Sequence, residues 1–271
     1  MLSILTLNIG AASLKRAELL CDWLSKRPED VIVLTETSAG EGSAFLFRQF
    51  ERAGYAVVSS DVFNGDRGAA LLSRVEIDVS LVDALSDISI PVRAAGAVLR
   101  CEPGVTLLGL YVPSRDASPA KIQKKRLFIE EIVERLQRLS ATSIATTVVG
   151  GDYNVIHQAH VPRYPSFMPF EYEFLSSLET LGLRDAQQII SPNTQVHSWV
   201  GRTGDGYKYD YFHVGPYLHD GVQAVEYIDE TRILGLTDHS AVSISLQGIE
   251  PVIREVREVG QADQEELGLL F

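Results

Sequence analysis

Apolar residues recur along this chain in two rhythms, short β-branched runs and longer stretches with a helical repeat. "LSILTLN" reads as an opening strand. "SLKRAELLCDWLSK" predicts a helix, with Ser13 at the N-cap position and Leu20, Trp23 and Leu24 on one face. "DVIVLTE" is a second strand. "YAVVSS", "GAALLSR", "EIDVSLV", "AAGAVLRCE" and "VTLLGLYVP" follow as strands without crossover helices between them, which predicts antiparallel or mixed pairing. "SPAKIQKKRLFIEEIVERLQRL" is a long helix entered through Ser118-Pro119. "TTVVGGDYN" is a strand, "FEYEFLSSLETLGL" a helix closed by Gly182, and "YKYDYFHV" and "HSAVSISL" are late strands. Many strands and few helices predict two sheets packed face to face with helices outside. One domain is expected over residues 1–248, followed by an acidic tail, 249–271, with an apolar tip.

Composition narrows the picture. A chain of 271 residues that is 45% hydrophobic suffices for one large domain with a sizeable core. Cys21 and Cys101 exclude a disulfide framework and a cysteine-based zinc site, and fit a reducing compartment. "MLSILTLNIG" has no basic segment and no long apolar run, so it reads as a strand and not as a signal peptide. No apolar stretch is long enough to span a membrane. The expectation is a cytoplasmic, soluble monomer. The net charge of −12 argues against coating nucleic acid non-specifically, because phosphate contacts need Lys and Arg, but it permits a local basic groove.

Candidate chemistry lies at the ends of strands. The run "TTVVGGDYNVI" breaks from a core strand into Asp152 and Asn154, with Gly150 and Gly151 read as letting the backbone approach a cleft. "LTLN" ends in Asn8, "VIVLTE" in Glu36, and "LLGLYVP" delivers Tyr111. "YKYDYF" carries Asp210, and "LTDHSAV" carries Asp238 and His239. On a common rim these residues converge on one cleft. Asn8, Glu36 and Asp238 offer hard oxygens of the kind that hold Mg²⁺ alongside water and phosphate. Asp152 is placed to orient or deprotonate a water, Asn154 and Tyr111 to donate to phosphoryl oxygens, and His239 to work in a tautomer set by Asp210. Together they suit metal-assisted hydrolysis of a phosphate ester. Each residue alone also has an ordinary reading, as a cap, a turn or a packed aromatic; the set and its order do not.

That ordered set, Asn8 in "TLNI", Glu36 in "LTET", Tyr111 in "YVP", Asp152 and Asn154 in "GDYN", Asp210 in "YDYF" and Asp238-His239 in "LTDHS", resembles the endonuclease/exonuclease/phosphatase superfamily from about Leu2 to Leu246. "GAALLSR" is similar to a further strand of that superfamily. The resemblance implies an α/β (α+β), DNase I-like four-layered sandwich of two mixed sheets flanked by helices. It implies a Mg²⁺-dependent phosphodiesterase or phosphomonoesterase, with Mn²⁺ substituting. Glu36 would be the principal metal ligand, with Asn8 and Asp238 beside the metal. Tyr-x-Pro and "PFEYEFLSSLETLGLRDA" resemble the exonuclease III and apurinic/apyrimidinic endonuclease branch, which makes DNA the expected substrate.

The chain departs from that branch at three places. Gly10 stands where a second metal-side Asn or Asp is usual, Ser114 where Asn follows Tyr-x-Pro, and Tyr207 where the abasic-sugar pocket has Trp; Trp199 is the alternative aromatic. These departures keep open a phosphodiesterase or phosphatase acting on a non-DNA ester, and, from another class, an inactive binding module. Arg115 is the favoured phosphate contact, with Lys121, Arg126, Arg163, Arg202 and Lys208 behind it, whereas Lys124 and Lys125 are read as a solvated helix face. His157 and His160 lack metal-ligand spacing. The terminal "ELGLLF" resembles the short tails that dock on a sliding clamp.

Overall fold

Leucine- and valine-rich runs bury both of their faces, and in the computed structural model each becomes a central strand. The structure describes residues 1–60, 62, 65–80, 87–161, 164–201 and 203–260. In chain order, β1 (Leu2–Asn8), α1 (Leu14–Ser25), β2 (Val31–Thr37), α2 (Glu41–Arg52), β3 (Ala56–Ser59) and β4 (Gly68–Ser73) form the first part. Next come β5 (Ile77–Asp78), β6 (Ala94–Leu99), β7 (Cys101–Glu102), β8 (Val105–Tyr111), α3 (Pro119–Gln137), α4 (Ala141–Ala145) and β9 (Thr147–Asp152). The chain continues through α5 (Pro169–Thr180), β10 (Arg184–Asp185), α6 (Ala186–Ile190), β11 (Trp199–Val200), β12 (Gly206–Tyr207) and β13 (Asp210–Val214). It closes with β14 (Val222–Ile228), α7 (Glu230–Ile233), β15 (Ala241–Leu246) and β16 (Glu250–Pro251).

Two six-stranded sheets result, in the orders β14-β15-β1-β2-β4-β3 and β10-β13-β9-β8-β6-β5. Each is mixed. β1 and β2 run parallel across α1, β8 and β9 run parallel across α3 and α4, and the other pairs in both sheets are antiparallel. The period-two alternation of β1 sends Leu2 and Ile4 into the layer between the sheets and Leu5 and Leu7 towards α1 and α2. On the other side, Phe128, Ile129 and Ile132 of α3 and Phe174 and Leu178 of α5 cover the second sheet. The layers are therefore helices, sheet, sheet, helices, as expected for the four-layered sandwich. Ile249 is buried, and β16 pairs with β7.

Some local expectations change. α2 carries Leu46 and Phe50 onto the core, although its Gly and Ser obscure the repeat, and β14 was not anticipated either. "EIDVSLV" is a strand only at Ile77–Asp78, and its end lies outside the described residues. Ser13 occupies the N-cap of α1 with no side-chain capping bond. Lys125 is corrected from a solvated position to a buried one: it falls in phase with Phe128, Ile129, Ile132 and Leu136 on the inner stripe of α3. Gly150 and Gly151 serve the core and not the cleft. A Cβ at Gly150 would meet the Phe212 ring at 2.3 Å, and one at Gly151, where φ is +131°, would lie 2.1 Å from the Leu110 carbonyl oxygen. Arg163, Arg202 and the tail from 261 onward lie outside the described residues.

Candidate active site

The tips of the central strands of both sheets meet at one rim. Asn8 is the last residue of β1. Glu36 sits where the β2–β4 register slips between Thr35 and Thr37, with φ at +54°. A carboxylate on a bulged, left-handed backbone is a side chain re-aimed out of the pleat, at a cost in strain. In the second sheet Tyr111 and Asp210 each pair in register with Asp152, so three functional side chains stand side by side on β8, β9 and β13. Asn154, two residues on, is again left-handed, with φ at +49°. Asp238 and His239 arrive just before β15, and His239 bridges to Trp199 through the backbone.

Hydrogen bonds join these tips across the two sheets. Asn8 Nδ2 donates to Asp152 Oδ2 at 2.9 Å and to Glu36 Oε1 at 3.2 Å, while its Oδ1 accepts from Gly10 N at 2.8 Å. Tyr111 Oη donates to the same Glu36 Oε1 at 2.9 Å. Asn154 N donates to Asp152 Oδ1 at 2.8 Å, and Asn154 Nδ2 donates to Val112 O at 3.0 Å and to Asp152 Oδ2 at 3.2 Å. His239 Nδ1 and Asp210 Oδ2 are 2.7 Å apart. Trp199 Nε1 donates to Asp238 Oδ2 at 2.9 Å.

Burial sets the electrostatics. Burial raises the Asp152 carboxyl and the Asp210 charge raises it further, so that, against the opposing pull of His239, it is pushed up to about 7. Burial disfavours a charged His239 ring, but the Asp210 charge and hydrogen bond, with Asp152 and Asp238 behind them, carry it up to about 10. Burial, then Glu36 and Asp152, drive the Tyr111 hydroxyl well above the usual phenol range. At neutral pH the rim therefore presents a poised carboxyl, a charged imidazolium and a phenol that only donates.

Glu36, Asp152, Asn154, Asp238 and His239 line one cleft of about 320 Å³, together with Ser114, Arg115 and Trp199. Tyr111 and Asp210 stand beneath its wall through their bonds to Glu36 and His239. The ligand-capable atoms of Asp152, Asp210 and His239 lie within 4.8 Å of one another. Among the described residues no hydrogen bond engages Glu36 Oε2, which leaves that oxygen for a cation. The donor set of carboxylates and an amide suits a hard divalent ion.

Some expected contacts are placed differently. Arg115 lines the cleft but is committed to Glu171, with Nε donating to Oε2 at 3.0 Å. Tyr207 does not line the cleft. It is buried behind Tyr209, stacked at 5.7 Å, and against His160 at 5.2 Å, whereas Trp199 and Tyr209, both half-buried, line the cleft with Phe167 and the exposed Tyr164. His160 accordingly packs as a core histidine. Lys208 is buried against Asp185. The turn at Gly10, which lacks the usual carboxylate or amide, is filled by Arg16, whose Nη2 donates to Gly10 O at 2.5 Å.

Three supporting residues were missed. Ser198 is fully buried and its Oγ accepts from Tyr209 N at 2.9 Å and Asp210 N at 3.0 Å, fixing the backbone that aims Asp210. Arg93 lies 4.4 Å from the Tyr111 ring centroid and pairs with Asp66. Lys125 reaches the Asn154 carbonyl at 2.6 Å. Of the three, only Lys125 had a signal in the sequence, its place in the apolar stripe of α3.

The profile of the Endonuclease/Exonuclease/phosphatase family matches residues 5–218. Comparison with curated proteins gives no match. Among solved structures, an AP endonuclease from Archaeoglobus fulgidus superposes with a TM-score of 0.74 at 22% identity, covering 91% of this chain and 100% of that one. The 3′-5′ exonuclease NExo from Neisseria meningitidis gives 0.74 at 22%, covering 90% and 99%. A 3′ phosphatase NExo from Neisseria, bound to a product DNA hairpin, gives 0.71 at 21%, covering 91% and 100%. At these identities the likeness is one of fold.

Proposed function

Because the chain belongs to the endonuclease/exonuclease/phosphatase family, we propose that it hydrolyses phosphodiester bonds in DNA with a divalent metal, as an abasic-site endonuclease or a 3′-5′ exonuclease. Mg²⁺ is the expected ion, with Mn²⁺ substituting, and DNA repair in the cytoplasm is the expected setting. The observation that carries the reading is the convergence of Asp152, Asp210 and His239 within 4.8 Å, in the cleft that Glu36 and Asp238 also line. The similar structures named for DNA-directed activities support DNA as the substrate.

Glu36 and Asp238 would hold the metal, with Asn8 beside it orienting Glu36. The metal would supply Lewis-acid stabilisation of phosphoryl charge. Asp152, pushed up to about 7, is matched to taking a proton from the attacking water near neutral pH. His239 is held by Asp210 in one orientation and, charged, donates to phosphoryl oxygens as their charge grows. Asn154 and Ser114 flank the phosphate. Trp199, Tyr164 and Tyr209 offer ring faces to a sugar or base.

A second reading, a phosphoesterase for a non-DNA substrate, is favoured by one observation: among the described residues, Arg115 and Lys125, the lysine and arginine side chains lining the cleft, are both paired with Glu171 in a chain of net charge −12. The deciding experiment incubates a duplex with one abasic site, and an intact duplex, with Mg²⁺ or EDTA and with His239→Ala as control. Metal- and His239-dependent incision at the abasic site supports the endonuclease. Shortening from 3′ ends alone supports the exonuclease. Intact DNA alongside hydrolysis of a chromogenic phosphodiester supports the second reading, and no hydrolysis of anything under varied metals overturns both.

A further inference from the structure

The turn that carries Asn154 is held by a cation with no part in the chemistry above. Lys125 Nζ donates to the Asn154 carbonyl at 2.6 Å and to Glu171 Oε1 at 2.6 Å, and its side chain is 1% exposed. Arg115 grips the other oxygen of Glu171, which also accepts from Met168 N at 2.8 Å. Glu171 thereby ties α3, α5 and the segment after β8 into one buried group.

Burying an ammonium is an expensive way to join two helices. A leucine or methionine in phase with Phe128 and Ile129 would pack there without desolvating a charge. What an apolar side chain cannot do is donate to a carbonyl. The carbonyl in question belongs to a residue in the left-handed region, a conformation that non-glycine residues keep only when their surroundings enforce it. Asn154 in turn fixes Asp152, donating to one carboxylate oxygen from its backbone and to the other from its side chain.

We propose that Lys125 is a positioning residue for hydrolysis: it locks the left-handed Asn154 turn and so holds the Asp152 carboxylate in the single orientation that serves the attacking water. The proposal rests on the reading of Asp152 as the water-activating group. Glu171 is the counter-charge that makes the buried ammonium tolerable, and Arg115 balances the second carboxylate oxygen.

The test pairs an activity readout with one that needs no substrate. Amide hydrogen exchange by mass spectrometry follows residues 152–158 in the wild type, Lys125→Met, Lys125→Arg and Glu171→Gln, with β1 and β15 as internal references. Lys125→Met is expected to speed exchange in 152–158 by about tenfold or more, the loss of one charge-assisted bond, with the reference strands unmoved. Lys125→Arg, which keeps a donor, is expected to restore part of the protection. Glu171→Gln keeps the Asn154 bond but leaves the ammonium without its counter-charge, so it is expected to lower overall stability, with exchange in 152–158 rising no more than in β1 and β15. On a chromogenic phosphodiester, Lys125→Met is expected to lower kcat by about thirtyfold or more with KM within about twofold. Unchanged exchange at 152–158 in Lys125→Met overturns the proposal, as does an equal loss confined to 152–158 in Glu171→Gln, which would mark a purely structural ion pair. Should Lys125→Met open every region, the Lys125→Met/Glu171→Gln double variant replaces it under the same criteria. If the wild type hydrolyses no phosphoester, the functional reading falls while the exchange data still decide whether Lys125 holds the turn.

Discussion

Asp210 Oδ2 lies 2.7 Å from His239 Nδ1, and this contact decides which imidazole nitrogen is left for the cleft. With Nδ1 committed, Nε2 is the ring atom that can meet a substrate. Asp210 is itself aimed by Ser198 through the backbone, and Tyr227 Oη donates to its carbonyl at 3.2 Å. Replacing Asp210 by Asn keeps the shape but removes the charge that holds the imidazolium. Asp210→Asn should lower kcat by about 10²- to 10⁴-fold with little change in KM. Steady-state kinetics on a chromogenic phosphodiester, with circular dichroism to confirm folding, checks it.

Among the described residues Glu36 is the one carboxylate on a bulged strand that also faces the cleft. Glu36→Gln keeps an acceptor for Tyr111 and Asn8 but removes the charge a cation needs. Calorimetric titration should show Mg²⁺ affinity falling by about tenfold or more, and EDTA should abolish wild-type hydrolysis, with activity returning on adding the metal back. Equal Mg²⁺ affinity in the two proteins would remove Glu36 from the metal site.

Gly151 tests the packing under the site. Its φ of +131° and the 2.1 Å approach of a would-be Cβ to the Leu110 carbonyl leave no room for a methyl group. Gly151→Ala should cost more than about 3 kcal/mol in urea unfolding, whereas Gly104→Ala should stay within about 1 kcal/mol. The control is apt because the nearest atom to a Cβ at Gly104 is 4.0 Å away.

His213 is buried in β13, stacked on Tyr153 at 5.6 Å, and burial lowers it to about 4 despite the Asp185 charge. A histidine held neutral in the fold titrates near 6.5 once unfolded. Its contribution is fully present above 6.5 and is lost as pH falls towards 4, because only the unfolded chain takes up the proton in that window. The loss amounts to about 3 kcal/mol. His213→Phe should flatten the stability profile between pH 6.5 and 4 relative to wild type, read from urea midpoints at each pH.

The sandwich and its rim were legible because both follow from pattern. β-branched runs made most of the strands, and the tips of β1, β2, β8, β9, β13 and β15 carried the polar residues that the fold then gathered. What was not legible came from three-dimensional context. Glycine and serine hid the helix that buries Phe50, since the repeat there is thin in large apolar residues. Gly150 and Gly151 looked like a concession to the cleft, but only the packed Phe212 ring and the Leu110 carbonyl explain them. Lys125 was misjudged because its spacing was read together with that of Lys124 as an outer face, whereas its phase with Phe128 and Ile132 puts it inside. Ser198 carried no signal, because a lone serine in a loop acquires its meaning only from the two backbone amides it meets.

The bond from Asn8 to Asp152 joins residues 144 positions apart and links β1 of one sheet to β9 of the other. Neither sheet owns the site. Asn8, Glu36 and Asp238 come from the first sheet, and Tyr111, Asp152 and Asp210 from the second, so a chain that has formed either sheet alone holds one half of the cleft, and the proposed hydrolysis needs both. On the proposed reading, turnover thereby becomes a gauge of completed assembly, blind to secondary structure and sensitive to the docking of one sheet on the other.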